Sequence, residues 1–330
     1  MEAFKEILRR LEPELTAMNR IIDSSLSTQN AVMNAVVRKY LSTKGKQIRP
    51  ILVILGAKMF GEVNRSVLCA GAAMEMLHNA SLIHDDIVDD TGLRRGCPTI
   101  NATMGNQIAV LVGDFFVSRS LSVGIDSGSM EVVAALSSLG TELSLGEIDQ
   151  ITTAREHHFD KESYFEVIRQ KTASLFMSCV RMGMEVGGAP ADVTAPMVRY
   201  AELLGLCFQI KDDIFDYYPN PQIGKPTGND LREGKVTLPL LCALQTAPED
   251  ESRRMKELIC RGDLTAADIE RLVEFAREYK GIDDAYDIMD SLRRQADDII
   301  LQFPESESRQ SFRDIFDYII SRDKIGRAHV

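Results

Sequence analysis

The pentapeptide Asp85-Asp86-Ile87-Val88-Asp89 recurs, with one apolar residue exchanged, as Asp212-Asp213-Ile214-Phe215-Asp216. On a helix, positions i, i+1 and i+4 lie on one side, so each copy gathers three carboxylates into one patch. Such crowding is unfavourable unless cations neutralise it. Each copy also sits in apolar sequence, with Leu82-Ile83 before the first and Cys207, Phe208 and Ile210 around the second. A solvated acidic face has no need of such flanks. The pair therefore predicts two facing walls of one cavity that hold several hard divalent ions. Oxygen-only ligands favour Mg²⁺, which keeps some waters and bridges carboxylates to phosphates.

Nearly every long segment has helical period. Val67, Ala70, Ala73, Met74, Leu77, Ala80 and Ser81 form a stripe of mainly small and apolar residues, spaced by three and four, that leads into the first cluster. Segments near 28–41, 47–60, 64–90, 104–123, 130–152, 161–187, 194–218, 235–246, 265–279, 283–302 and 307–321 read the same way. Alternating strand patterns of useful length are missing, so the expected fold class is all-α. Two loops interrupt the helices. Residues 91–102 hold Gly92, Arg94, Arg95, Gly96 and Pro98; residues 219–234 hold Pro219, Pro221, Gly224, Lys225, Pro226, Gly228, Arg232 and Gly234. Each acidic helix is thus expected to run into a mobile flap carrying cations.

The 330 residues are 45% hydrophobic and 26% charged, enough for one large core, and no Ser/Gly/Pro-rich linker divides them. One domain over 1–324 is expected. The last six residues, Ile325 to Val330, can be back-translated into the start of a sequencing-adapter oligonucleotide, and are set aside as a non-native tail. A net charge of −11 argues against nucleic acid as a partner. Six scattered cysteines without CxxC spacing fit reduced thiols in the cytoplasm. No signal-peptide pattern opens the chain, and no run of about 18 apolar residues suggests a membrane span.

Positive charge also clusters. Lys46 and Arg49 lie one turn apart where a helix should begin, Arg94 and Arg95 follow the first acidic motif, and Lys171-Thr172 sits mid-chain. Gln209 precedes Asp212 by three residues, and Lys225 and Lys235 bracket the second flap. Lys and Arg are the usual partners of phosphate oxygens. A metal-bridged diphosphate would use the acids, and a second, metal-free diphosphate the basic residues directly.

Glu75 through Asp90, continuing to Arg94-Arg95-Gly-Cys-Pro-Thr99, resembles the first aspartate-rich region of trans-type polyprenyl diphosphate synthases. Gly45-Lys46-Gln-Ile-Arg49-Pro50 is similar to that family's GKxxRP segment. Phe208-Gln209-Ile-Lys-Asp212-Asp213-Ile-Phe-Asp216 resembles its second aspartate-rich region, and Gly224-Lys225 through Gly234-Lys235-Val-Thr237 its following flap. With Lys171-Thr172, five motifs agree in order across residues 40–240. The helical tail after residue 245 adds little. The resemblance implies the isoprenoid synthase (terpenoid synthase) helical bundle around a central cavity, a homodimer, and three Mg²⁺ per site. Asp85, Asp86 and Asp89 would bind two of these ions and Asp212 the third, with Asp213 and Asp216 supporting through water or hydrogen bonds. It also implies that Arg94, Lys171, Thr172, Gln209, Lys225 and Lys235 hold an allylic diphosphate, and that Lys46, Arg49, His78 and Arg95 hold isopentenyl diphosphate. Asp85, Asp86, Asp89, Lys171, Asp212 and Lys225 would be the catalytic set.

The implied chemistry is ionisation of the allylic C–O bond followed by attack of isopentenyl diphosphate, with both flaps closing to exclude water. Product length would be set below the first cluster. Ala80 and Ser81, one turn earlier, are small where a Phe or Tyr would block growth, which favours a long-chain, octaprenyl-synthase-like enzyme with Leu136 or Leu139 near its floor. A hydrophobic product makes peripheral membrane contact an expectation at release. A short-chain (farnesyl or geranylgeranyl) synthase and a class I terpene cyclase stay open as alternatives, as does a non-catalytic partner subunit, though no aspartate is missing. His84-Asp85 also mimics the His-Asp pair of metal phosphohydrolases, without the further ligands such a site needs.

Overall fold

A computed structural model of the chain describes residues 2–43, 45–94, 96–218 and 227–322. Its helices are α1 (Glu2–Arg10), α2 (Glu12–Ser25), α3 (Ala31–Leu41), α4 (Ile48–Lys58), α5 (Arg65–Val88), α6 (Ile100–Met104), α7 (Asn106–Asp126), α8 (Met130–Glu156) and α9 (Lys161–Ile168). A π-helical turn, Arg169–Ala173, joins α9 to α10 (Ser174–Val186). Then follow α11 (Ala191–Phe215), α12 (Asn229–Arg232), α13 (Leu238–Thr246), α14 (Glu249–Cys260), α15 (Ala266–Glu278), α16 (Gly281–Ile300) and α17 (Glu307–Ser321). The only strands among the described residues are Leu93–Arg94 (β1) and Cys97–Pro98 (β2), an antiparallel pair.

The long helix α5 sits at the centre because its sequence lets neighbours approach from several sides. Ala70, Gly71, Ala72, Ala73 and Ala80 are all buried on it, and α2, α4, α7 and α10 pack around it. The Asn64 side chain starts the helix by accepting from the Val67 amide at 3.1 Å. The second long helix, α11, is lined by Leu203, Leu204, Leu206, Cys207, Phe208 and Ile210, all buried. Both α5 and α11 end in an aspartate cluster, so the core positions the site.

All eleven segments read as helical contain helix, with boundaries shifted by a few residues; 64–90 stops at Val88, and 161–187 is broken by the π-turn. The period missed α1, α2 and α14. The loop over 91–102 contains the β1–β2 hairpin and the start of α6, so it is built rather than merely open. Of the 219–234 flap, α12 is described; Lys225 and the rest of 219–226 lie outside the described residues, as do Arg95 and the 325–330 tail. One expectation needs correcting. Although no unbroken apolar run exists, α7 reaches a mean hydropathy of 1.6 over 18 residues. Its Val112, Phe116 and Val123 are buried, α5 packs against it, and Arg119 donates to the Ser25 carbonyl at 2.6 Å. It is a bundle helix with one apolar face left outside.

The C-terminal helix α17 returns to close the core. Tyr200 of α11 donates to the Phe312 carbonyl at 2.9 Å, and its ring meets Phe312 and Phe316 edge-on at 5.9 and 5.7 Å. Phe312 is fully buried, so Phe312→Ala should cost about 3–5 kcal/mol through lost burial and the cavity left behind. Urea denaturation of the two proteins measures it.

Candidate active site

The first cluster forms where α5 ends. Asp86 is buried, and Arg94 of β1 folds back so that its Nε and Nη2 both lie 2.7 Å from Asp86 Oδ1. The Asp86 carbonyl accepts from the Thr91 amide at 2.9 Å and from Asn101 Nδ2 at 3.0 Å, which pins the hairpin to the helix end. Loss of solvent raises the Asp85 carboxyl to about 6; the Lys171 ammonium opposes this and Glu147 reinforces it. His84 turns the other way, lying 3.4 Å from the Val110 carbonyl and 3.4 Å from Asp114 on α7. That separation removes the phosphohydrolase reading of His84-Asp85.

The second cluster forms where α11 ends, and its three aspartates do different work. Asp213 is buried with both oxygens engaged: Tyr164 donates to one at 2.6 Å and Gln209 Nε2 to the other at 2.8 Å. Burial nevertheless drives its pKa upward, and Asp212 and Asp216 push in the same direction. The Asp216 carboxylate accepts from the backbone amides of Asn229 and Asp230, each at 3.0 Å. It therefore holds the N-terminal end of α12. Asp212 lies 2.8 Å from Arg322 Nη2.

The two walls meet. Lys235, just after the flap, reaches Asp89 of the first cluster at 3.5 Å and Glu233 at 2.7 Å. Lys171 pairs with Glu147 at 2.5 Å while facing Asp85, and Thr172 Oγ1 donates to Gln209 Oε1 at 2.8 Å. A cavity of about 180 Å³ opens among Lys171, Thr172, Gln209, Asp213, Asp230 and Lys235.

A separate basic locus adjoins the second wall. The Lys46 ammonium donates to the Tyr318 hydroxyl and lies 4.8 Å from that ring's centroid. Arg49 sits 5.6 Å over Phe176, which packs 5.4 Å from Phe208. Arg322 stacks 4.3 Å over the Phe208 ring and donates to the Phe208 carbonyl at 2.8 Å. His78 is buried on α5, one turn after the buried Glu75.

Reading the chain by motif missed several of these residues. Tyr164, Glu147 and Asp230 stand outside the five segments or unmarked within them. Tyr318 and Arg322 come from the tail that added little to the resemblance, and here the structure corrects the reading: α17 delivers both to the Lys46–Asp212 region. The available signal was an amphipathic last helix followed by Arg322 and Lys324.

Among the described residues no three His, Cys, Asp or Glu side chains converge tightly enough to chelate one ion unaided. Mg²⁺ does not require that, because it is typically held by one or two carboxylates plus substrate phosphates and water. The donor set is all oxygen, and Arg94, Lys171, Lys235 and Arg322 now occupy the neutralising positions beside it. The residues fit Mg²⁺ shared with a diphosphate.

A carboxyl raised from 3.8 to about 6 binds more protons folded than unfolded, so its contribution to stability falls as pH rises through that window. The metal-free protein should therefore lose melting temperature between about pH 4 and pH 7. Asp85→Asn should flatten that loss and be the more stable protein at about pH 8 in EDTA. Thermal melts of both proteins across pH decide this, and an unchanged slope counts against the assignment.

Comparison with known proteins agrees with this geometry. A family model described as polyprenyl synthetase matches residues 30–276. An all-trans-nonaprenyl-diphosphate synthase (geranyl-diphosphate specific) of Rhodobacter capsulatus is 33% identical over 309 residues, covering 93% of this chain and 94% of that protein. The crystal structure of a decaprenyl diphosphate synthase from the same organism superposes with a TM-score of 0.91 at 32% identity, over 97% of this chain and 99% of the other. A polyprenyl synthase from Caulobacter crescentus, complexed with calcium and isoprenyl diphosphate, gives 0.89 at 30% identity, over 97% and 98%. With paired aspartate walls, a basic locus beside them and a match over most of its length, the chain belongs to the polyprenyl synthetase family and is a prenyltransferase.

Proposed function

We propose that this protein is a Mg²⁺-dependent, long-chain trans-polyprenyl diphosphate synthase, which adds isopentenyl diphosphate units head-to-tail to an allylic diphosphate. The observation that carries the reading is that Lys171 and Lys235, which line a cavity with Asp213, face Asp85 and Asp89 of the first cluster, while a second basic locus lies beside the second. A cyclase acting on one diphosphate has no use for Lys46 and Arg49 there.

Asp85, Asp86, Asp89 and Asp212 are the proposed metal ligands; when bound, the ions draw charge from the departing diphosphate. Asp213 and Asp216 have their oxygens engaged by Tyr164, Gln209 and the start of α12, so they shape the site and can reach an ion through water. Lys171, Thr172, Gln209 and Lys235 face the cavity and are assigned to the allylic diphosphate, with Arg94 and Lys225. Arg94 and Lys171 are held by Asp86 and Glu147, so they stand preorganised for an anion entering between the walls. Lys46, Arg49, His78 and Arg95 are assigned to isopentenyl diphosphate. The two diphosphates side by side supply proximity, and the proton lost in each condensation goes to the released diphosphate.

The long product is supported by Ala80, fully buried, and by Ser81, whose hydroxyl is turned back onto the His78 carbonyl at 2.9 Å. Leu136 and Leu139, assigned to the floor, are buried on α8. The names of the Rhodobacter relatives carry long products too. All six cysteines are free thiols, which supports the cytoplasm. Purified protein given Mg²⁺, labelled isopentenyl diphosphate and farnesyl diphosphate should yield a ladder of long products. Asp85→Ala or Asp212→Ala should lower the rate by about 10³-fold or more, and Ala80→Phe should shorten the ladder. Product from the allylic substrate alone would indicate a cyclase instead.

The same reading includes a homodimer, through the outer face of α7. Leu111, Leu121 and Ile125 are 59%, 38% and 66% exposed along one side of that helix, and Leu145 and Ile148 continue the apolar surface on α8. Leu111→Glu with Ile125→Glu should convert a dimer into a monomer by light scattering.

A further inference from the structure

The turn Arg169–Ala173 faces both aspartate walls. Its Lys171 faces Asp85 and pairs with Glu147; its Thr172 reaches Asp213 through Gln209. Its backbone is not α-helical. The Ser174 amide donates to the Arg169 carbonyl five residues back, so each turn holds an extra residue. In an α-helix neighbouring side chains diverge by about 100°. Widening the turn narrows that angle, and Lys171 and Thr172 both line the cavity.

Three residues outside the reacting centre make this turn possible. A π-turn is wider than an α-turn and leaves one carbonyl without its usual amide. The width is accommodated by two glycines on the flanking helices. A Cβ at Gly146 of α8 would lie 2.9 Å from Gln170 Cβ and 3.1 Å from the Lys171 amide nitrogen. A Cβ at Gly205 of α11 would lie 2.6 Å from Ala173 Cα. The freed carbonyl is that of Gln170, and the buried Ser174 hydroxyl donates to it at 2.5 Å.

We propose that Gly146, Gly205 and Ser174 are positioning residues for prenyl transfer. By seating and capping the π-turn they hold Lys171 against the first aspartate wall and Thr172 against the second. The inference rests on the activity proposed above. Without these residues the segment relaxes toward an α-turn, and Lys171 and Thr172 separate in direction. The allylic diphosphate then loses ligands while the Lys46–Arg49 locus, on a different helix, is untouched.

Steady-state kinetics with farnesyl diphosphate, isopentenyl diphosphate and Mg²⁺ test this. Gly146→Ala should reduce kcat/KM for the allylic substrate at least tenfold while KM for isopentenyl diphosphate changes less than twofold. Gly140→Ala, on the same helix but facing open space, should leave both unchanged. Adding Gln170→Gly to Gly146→Ala removes the nearest obstructing atom and should restore activity to within threefold, even though the glycine placed at position 170 lowers the melting temperature. Should Gly146→Ala not fold, Ser174→Ala carries the test: it should lose threefold or more in the same parameter, and Ser174→Thr, which keeps the hydroxyl, should recover it. Wild-type rates in both Gly146→Ala and Ser174→Ala overturn the proposal. So does a crystal structure in which the Ser174 amide bonds the Gln170 carbonyl with Lys171 still on Glu147. Absence of any condensation by the wild-type protein would defeat the functional reading instead, and leave the turn's geometry standing.

Discussion

Like charges crowded at the ends of α5 and α11 set the terms for everything around them. Each end gathers three aspartates, Glu147 adds to the charge around Asp85 and Asp230 to that around Asp213, and burial raises Asp85 and Asp213 because ionised carboxylates there lack water. The protein meets this with cations from several directions. Arg94 arrives on a hairpin, Lys171 on the π-turn, Lys235 after the flap, and Arg322 from the last helix.

The aspartates are alike in sequence and unlike in use. Asp213 is fixed by Tyr164 and Gln209, and Asp216 spends its oxygens on the first turn of α12. A carboxylate at a helix N-terminus is favoured by the free amides there, so Asp216 couples the metal wall to the flap that follows it. Within the second DDxxD, Asp213 and Asp216 are thus engaged by Tyr164, Gln209 and α12, whereas Asp212 pairs with Arg322.

Much of the fold was legible because the signal is local. A stripe repeating every three to four residues encodes which side of a helix is buried, and eleven segments showed it. The amphipathic pieces at the N-terminus and α14 were short or rich in charge, and so fell below notice. The Asp85 and Asp212 clusters were legible as well, since three acids on one helical face within apolar sequence repel one another unless cations lie among them. What could not be read was partnership. Tyr164, Glu147 and Arg322 are ordinary residues in sequence, and they become part of the site only because distant helices bring them there.

The order of the acidic and basic motifs, the all-helical character and the metal-and-diphosphate chemistry were determined by the sequence by itself, because each depends on residue type and short spacing. Only the tertiary structure decided that Tyr164 and Gln209 hold Asp213 while Asp212 pairs with Arg322, that the chain at and just after α17 returns Tyr318 and Arg322 to the Lys46–Asp212 region, and that the helix carrying Lys171 and Thr172 widens by one residue where Gly146 and Gly205 make room. Those outcomes depend on contacts between residues far apart in the chain. Helical period constrains the face each helix buries, and packing alone selects what that face meets.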